Sequence, residues 1–93
     1  MQFRVYDSQK PQPKLVEGMK KHSARLDCPR IIQGGLEVTL RFNSQGDEGR
    51  PDTNLIATFS PEDTQVLQGK YPNISEFKSV FVYLGQNQGY LEI

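Results

Sequence analysis

The stretch Gly34-Gly35-Leu36-Glu37-Val38-Thr39-Leu40-Arg41-Phe42-Asn43 decides how the rest of the chain can fold. Apolar side chains occupy every second position from Leu36 to Phe42, and polar side chains fill the positions between them. A strict period of two is typical of a β-strand with one buried and one exposed face. We therefore predict a strand over residues 36–43 and build the remaining elements outward from it.

Further segments predict strands that extend this sheet. Residues 54–59 alternate in the same way and are the expected antiparallel partner of the first strand. Residues 2–6 predict another strand, and residues 78–84 and 90–93 predict a terminal hairpin because a turn rich in Gly and Asn separates them. The polar residues 44–52 predict a long, exposed hairpin loop.

The clearest helix start is Ser60-Pro61-Glu62-Asp63. The serine can cap the helix, the proline fits the first helical position, and the two acids suit the positive end of the helix dipole. We predict a short helix that continues to residue 68, with Val66 and Leu67 facing inwards. Gly69 is the expected end of the helix.

The segment between Lys14 and Leu26 is ambiguous. Its apolar residues recur at helical spacing, so the pattern favours a helix over residues 14–26. Gly18 weakens a helix by about 1 kcal/mol relative to alanine. The alternative is an irregular or extended arm, in which Ala24, Leu26 and Cys28 alternate along one face.

The element order predicts the fold class. Ninety-three residues form a single domain, 1–93. We expect an α+β domain with a small, mainly antiparallel sheet of four to five strands and one or two short helices. The alternative is an OB-like β-barrel with one helix, because that barrel also places its helix between its third and fourth strands. In the sheet, an exposed edge at residues 89–93 could pair with a second copy to form a homodimer.

The charges are distributed unevenly although the formal net charge is zero. Residues 1–33 carry seven basic and three acidic side chains, whereas residues 34–93 carry four basic and eight acidic ones. The densest basic cluster consists of Lys20, Lys21, Arg25 and Arg30. These four are candidate contacts for an anionic partner, unless the two halves of the chain simply attract each other in the fold.

The terminal hairpin sorts its side chains onto two faces. One face is aliphatic and suits a core, while the other is aromatic. A small sheet cannot cover both faces fully, so the aromatic side chains could anchor a protein interface or stack bases. If a helix covers them, they belong to the core. The candidate partner-binding residues are Phe81, Tyr83, Tyr90 and Lys78.

Motifs that would indicate chemistry are missing from the sequence. His22 and Cys28 could form a pair, but nothing nearby would activate the thiol. Gly34-Gly35 lacks the phosphate-loop pattern, and Asp47-Glu48 with Asp52 lacks the spacing of a calcium-binding loop. We therefore expect no enzyme activity, no catalytic residue, no cofactor and no metal.

The cysteine count and hydropathy indicate the compartment. A single cysteine cannot form an internal disulfide, and no apolar run approaches the ~18 residues of a membrane span. The amino terminus lacks the apolar region of a signal peptide. We expect a cytoplasmic protein without membrane contact.

Together these observations favour a non-catalytic small binding module that acts through protein–protein contact, as an adaptor or inhibitor. A phage or mobile-element accessory protein would fit this description. The alternative is a single-stranded nucleic-acid-binding protein that uses the basic segment and the aromatic sheet face. The sequence pI of about 6.6 argues against this alternative, because strong nucleic-acid binders are usually basic.

Overall fold

The structure, a computed structural model, describes residues 1–11, 14–42, 54–73 and 78–93. These residues form a small sheet-dominated domain with one α-helix. The strands are β1 (Gln2–Tyr6), β2 (Lys20–Ile32), β3 (Gly35–Phe42), β4 (Leu55–Phe59), β5 (Lys78–Leu84) and β6 (Gln88–Glu92). The helical elements are a 3-10 helix, Lys14–Gly18, and α1, Pro61–Lys70. The loop predicted over residues 44–52 lies outside the described residues.

The strands close into a mixed six-stranded barrel in the order β1-β4-β3-β2-β5-β6. β2 pairs antiparallel with β3 and β5, and the β3–β4 and β5–β6 pairs are also antiparallel. β1 is parallel to both β4 and β6. The predicted small sheet-dominated domain with one helix is confirmed, but the sheet of four to five strands is wrong, and the OB-like barrel with one helix is the alternative that matches. Closure satisfies backbone groups that an open sheet would leave unpaired at its edges.

β6 has no free edge, because it pairs with β5 on one side and with β1 on the other. The predicted exposed edge at residues 89–93, through which a homodimer would form, is therefore wrong, because its hydrogen-bonding groups are used within the barrel. Gly89 lies opposite Phe3 on β1. A Cβ at Gly89 would come within 2.5 Å of the Phe3 ring, so the glycine leaves the space that this fully buried ring fills.

The barrel interior takes alternate side chains from each strand, as the period of two predicts for β3 and β4. Both of these strands are confirmed, as are the first strand and the terminal hairpin. The core joins all six strands and α1. Its fully or almost fully buried members are Phe3, Ala24, Leu26, Leu36, Val38, Leu40, Ala57, Phe59, Leu67, Val80, Val82 and Leu91.

The segment before β3 is the main error in the sequence prediction. The predicted helix over residues 14–26 is wrong, because only one 3-10 turn precedes a strand that begins at Lys20. His22, Ala24 and Leu26 are buried at alternate positions. His22 and Leu26, four positions apart, fit both a helical and a strand spacing. Pairing with both β3 and β5 decides for the strand, since tertiary context overrides weak local propensity.

A β-bulge interrupts the pairing of β2 and β3 between Asp27 and Arg30. Cys28 has a φ of 50°, and its backbone N–H donates to the Asp27 carboxylate at 2.9 Å. The bulge also accommodates Pro29, which has no N–H to give to a ladder. The alternation predicted for an extended arm therefore holds at Ala24 and Leu26, whereas Cys28 is exposed.

The start of α1 is as predicted. The Ser60 side chain caps the helix by accepting a hydrogen bond from the Asp63 N–H at 3.2 Å. The helix runs to Lys70, so Gly69 lies within it and is not its end. Val66 is exposed, which contradicts its predicted inward position. No helix in the described part of the chain is long and apolar enough to span a membrane.

Thr64 and Leu67 are the buried residues of α1. The Thr64 hydroxyl donates to the Ser60 carbonyl at 2.7 Å and accepts from the Leu36 N–H at 2.9 Å. Leu67 packs in the core one turn further along the helix. These contacts attach α1 to the beginning of β3, and they leave the outer surface of β2 and β5 uncovered by the helix.

Candidate functional site

The pairing of β2 with β5 brings the basic segment and the aromatic strand together. The Cα partners are Lys21 with Tyr83, Ser23 with Phe81 and Arg25 with Ser79. Their side chains point outwards, because the alternate residues of both strands fill the barrel. We call this surface the β2–β5 face and define it by Lys21, Ser23, Arg25, Ser79, Phe81 and Tyr83.

Phe81 is the most exposed aromatic side chain described on this face, with 48% of its surface accessible. The Lys21 ammonium lies over its ring, 4.5 Å from the ring centroid. A cation over the face of an aromatic ring is attracted by the ring quadrupole. The face therefore presents a flat apolar ring with a positive charge directly beside it.

Tyr83 belongs to a small polar network next to Phe81. Its hydroxyl donates to Glu92 Oε2 at 2.8 Å, and Lys21 Nζ lies 3.5 Å from the same oxygen. The Tyr6 ring packs edge-on against the Tyr83 ring, with centroids 6.0 Å apart. Burial, followed by the hydrogen bond to Glu92, raises the pKa of Tyr83 to about 12. Tyr83 therefore stays protonated and remains a donor at neutral pH.

Two arginines extend the positive charge along the face. Arg25 on β2 is the Cα partner of Arg41 on β3, and both side chains are exposed. Like charges directly opposite each other destabilise a sheet. Arg41 forms an ion pair with Asp27, but Arg25 makes no ion pair within the described residues. An anion at this position would offset the repulsion.

Several residues predicted as contacts lie elsewhere. Tyr90 is only 4% exposed, so little of its ring is accessible to a partner. Arg30 lies beyond the bulge, and its Nε is 2.8 Å from Glu37 Oε1. Lys20 is exposed at the first position of β2. Lys78 begins β5, but its side chain is outside the described part of the structure.

Three neighbours of the face escaped the sequence prediction: Tyr6, Arg41 and Glu92. Arg41 belongs to the polar side of β3, which local alternation marks only as exposed. Glu92 and Tyr6 approach Tyr83 because β6 lies between β5 and β1. The signal that could have found them is the strand order, which local sequence patterns do not encode.

His22 and Cys28 are not brought together. His22 is buried within the barrel, and its ring packs edge-on against Phe42 with centroids 5.8 Å apart. Cys28 is exposed at the bulge, about 20 Å further along an extended strand. Within the described residues, no group of three or more His, Cys, Asp or Glu side chains could hold a metal ion.

No family model matches this chain, and neither a search of curated proteins nor a search of solved structures found a match. The likeness to an OB-fold barrel rests on element order and strand pairing, and such folds carry many unrelated functions. The side chains of the β2–β5 face are therefore the basis for a functional proposal.

Proposed function

We propose that this protein binds single-stranded nucleic acid on the β2–β5 face. The observation that supports the proposal is the register of β2 and β5. Phe81 lies opposite Ser23, so Lys21 and Arg25 flank the ring at one strand repeat on either side. Proteins that bind single strands combine aromatic rings that stack bases with cations that contact the backbone.

A single strand suits this face better than a duplex. Stacking on Phe81 requires an unstacked base, which a single strand offers and a duplex does not. Within the described residues, the cations on this face and directly beside it are Lys21, Arg25 and Arg41. Stacking must therefore supply much of the affinity. Binding that depends mainly on stacking is compatible with a chain of zero net charge, because a strongly basic surface is needed only when phosphate contacts dominate the affinity. We also place this activity in the cytoplasm, where the exposed Cys28 stays reduced.

A salt series tests the proposal. Fluorescence anisotropy of a labelled single-stranded oligonucleotide should show binding at low salt. Three phosphate contacts predict a slope of about −2 in a plot of log affinity against log salt concentration, at about −0.7 per contact. The duplex of the same sequence should bind more weakly. Absence of binding to any single strand at low salt would overturn the proposal.

A protein partner is the second candidate, in the role of an adaptor or inhibitor, and one observation favours it. The Glu92 carboxylate lies within the same cluster as Lys21 and Tyr83, where it repels phosphate. Aromatic side chains held in a fixed arrangement are frequent anchors of protein interfaces. A pull-down from the native host, with Phe81→Ala as the control bait, tests this role. A partner retained by the wild-type bait and lost by the variant supports it.

A further inference from the structure

We infer that Glu92 gives the β2–β5 face a preference for single strands that contain guanine. This inference rests on the proposed function and adds the base that the site reads. Glu92 on β6 is the Cα partner of Phe81 on β5. Directly opposite residues in an antiparallel pair have Cβ atoms about 4.5–5.5 Å apart. A base stacked on the Phe81 ring would therefore bring one edge close to the Glu92 carboxylate.

The carboxylate is held in a defined orientation. The Tyr83 hydroxyl donates to its Oε2 atom at 2.8 Å, and the Lys21 ammonium lies 3.5 Å from the same atom. Only 18% of the Glu92 side chain is accessible. A fixed carboxylate can discriminate between base edges, whereas a mobile one would adapt to each of them.

A carboxylate accepts hydrogen bonds and donates none. The Watson–Crick edge of guanine carries two adjacent donors, the N1–H and the 2-amino group. Adenine and cytosine offer one amino group beside an acceptor nitrogen, and thymine and uracil offer one N–H between two carbonyl oxygens. Guanine is therefore the base that can donate twice to Glu92, and the other bases bring an acceptor against its negative charge.

A guanine contact also gives a reason for an acidic side chain on a surface proposed to bind phosphates. In the free protein Lys21 lies over the Phe81 ring and beside Glu92. A phosphate of the bound strand competes for this ammonium. When Lys21 turns to the phosphate, the Phe81 ring becomes open for stacking and Glu92 Oε2 loses one of its donors. Guanine replaces that donor.

Inosine provides the sharpest probe, because its base, hypoxanthine, differs from guanine only by the missing 2-amino group. We would measure anisotropy with labelled single strands of alternating thymine and guanine, and with the same strands carrying inosine in place of guanine. The wild-type protein should bind the guanine strand about tenfold more tightly, the size expected when one of two paired hydrogen bonds is lost. Glu92→Gln should bind both strands with similar affinity. In this variant an NH2 group replaces one carboxylate oxygen, so only one acceptor remains for the two donors of guanine.

Glu37→Gln is the matched control, because it makes the same charge change on the outer surface of β3, where Glu37 pairs with Arg30. This variant should keep the tenfold preference, and circular dichroism melting would verify that both variants are folded. The ribose forms of the strands should give the same ratio if only the base edge is read.

Two results would contradict the inference, and they differ in their consequence. Equal affinity of the wild-type protein for the guanine and inosine strands, in both sugar series, would overturn the guanine preference but leave the proposed function intact. Failure to bind either strand at low salt would overturn the proposed function and the preference together.

Discussion

The β2–β5 face and its neighbour on the same barrel differ in chemistry but not in geometry. The neighbour is the β3–β4 face, which we define by the outward residues Glu37, Thr39, Ile56 and Thr58. Both faces lie on antiparallel strand pairs whose alternate residues fill one core. OB-fold domains usually bind oligonucleotides on their second and third strands. When β1 is left out of the count, α1 follows the third strand as in an OB-fold, and the second and third strands are β3 and β4. Yet the β3–β4 face has no aromatic side chain, and its Glu37 is paired with Arg30.

A position in the fold and a set of functional side chains are therefore separate properties. The inward residues of β3 are fixed by packing, which is why its sequence pattern is so regular. Outward residues are free of that packing constraint, so their chemical character can suit a binding partner. The exposed aromatic and cationic side chains lie on β2 and β5. The proposed site is therefore there, one strand pair away from the usual OB-fold position.

The largest expected effect comes from removing the exposed ring of the β2–β5 face. Phe81→Ala should weaken binding to a single-stranded oligonucleotide about ten- to a hundredfold, because stacking of one base contributes about 1–3 kcal/mol. Ile56→Ala is the matched variant on the β3–β4 face, where Ile56 is 54% exposed. It should change the affinity by less than about twofold. A larger loss for Ile56→Ala than for Phe81→Ala would move the site to the other face.

The next effect concerns the salt dependence. Arg25→Ala should make the slope of log affinity against log salt concentration less steep by about 0.7, the contribution of one phosphate contact on a single strand. Arg30→Ala removes the same charge from a residue that is paired with Glu37 beyond the bulge. Its slope should equal that of the wild-type protein. If the slope of Arg25→Ala also equals that of the wild-type protein, Arg25 makes no phosphate contact.

The smallest effect is on stability at alkaline pH. An unfolded tyrosine ionises near pH 10, whereas the pKa of folded Tyr83 is raised to about 12. Between these values the unfolded chain loses its proton first, so the contribution of Tyr83 is complete below about pH 10 and is lost as the pH rises further. Between about pH 10 and pH 12, the free energy of unfolding of Tyr83→Phe should therefore fall less than that of the wild-type protein.

Urea unfolding at several pH values would measure this difference. Tyr71→Phe is the matched control, because Tyr71 caps the end of α1 and leaves the bond between Tyr83 and Glu92 intact. It should follow the wild-type curve. If Tyr83→Phe also follows that curve, the hydroxyl is not held by Glu92 in solution.

The parts of the fold that the sequence predicted correctly are those with local signals. β3 is defined by its own alternation, and α1 begins where Ser60 and Pro61 can cap and start a helix. β2 has no such signal, because His22 and Leu26, four positions apart, fit the spacing of a helix and that of a strand equally well. Its conformation depends on β5, which lies more than fifty residues later in the chain. The closed barrel depends in the same way on β1 pairing with β6 at the other end of the described chain.

The candidate site was predictable by residue type but not by arrangement. The sequence marked Lys21 and Phe81 as members of two separate clusters, and only the β2–β5 register joins them. Tyr90 carried the same aromatic signal as Phe81, yet it is buried. Glu92 has no signal in the sequence, because its proposed role depends on its position opposite Phe81.

We propose that single-stranded nucleic acid binds the β2–β5 face and not the β3–β4 face. Titrating the isotope-labelled protein with a single-stranded oligonucleotide, and following each backbone amide by NMR, tests this claim directly. Chemical-shift changes should concentrate at residues 21–25 and 79–83 and spare residues 56–58. Changes concentrated at residues 37–39 and 56–58, or no changes at low salt, would contradict it.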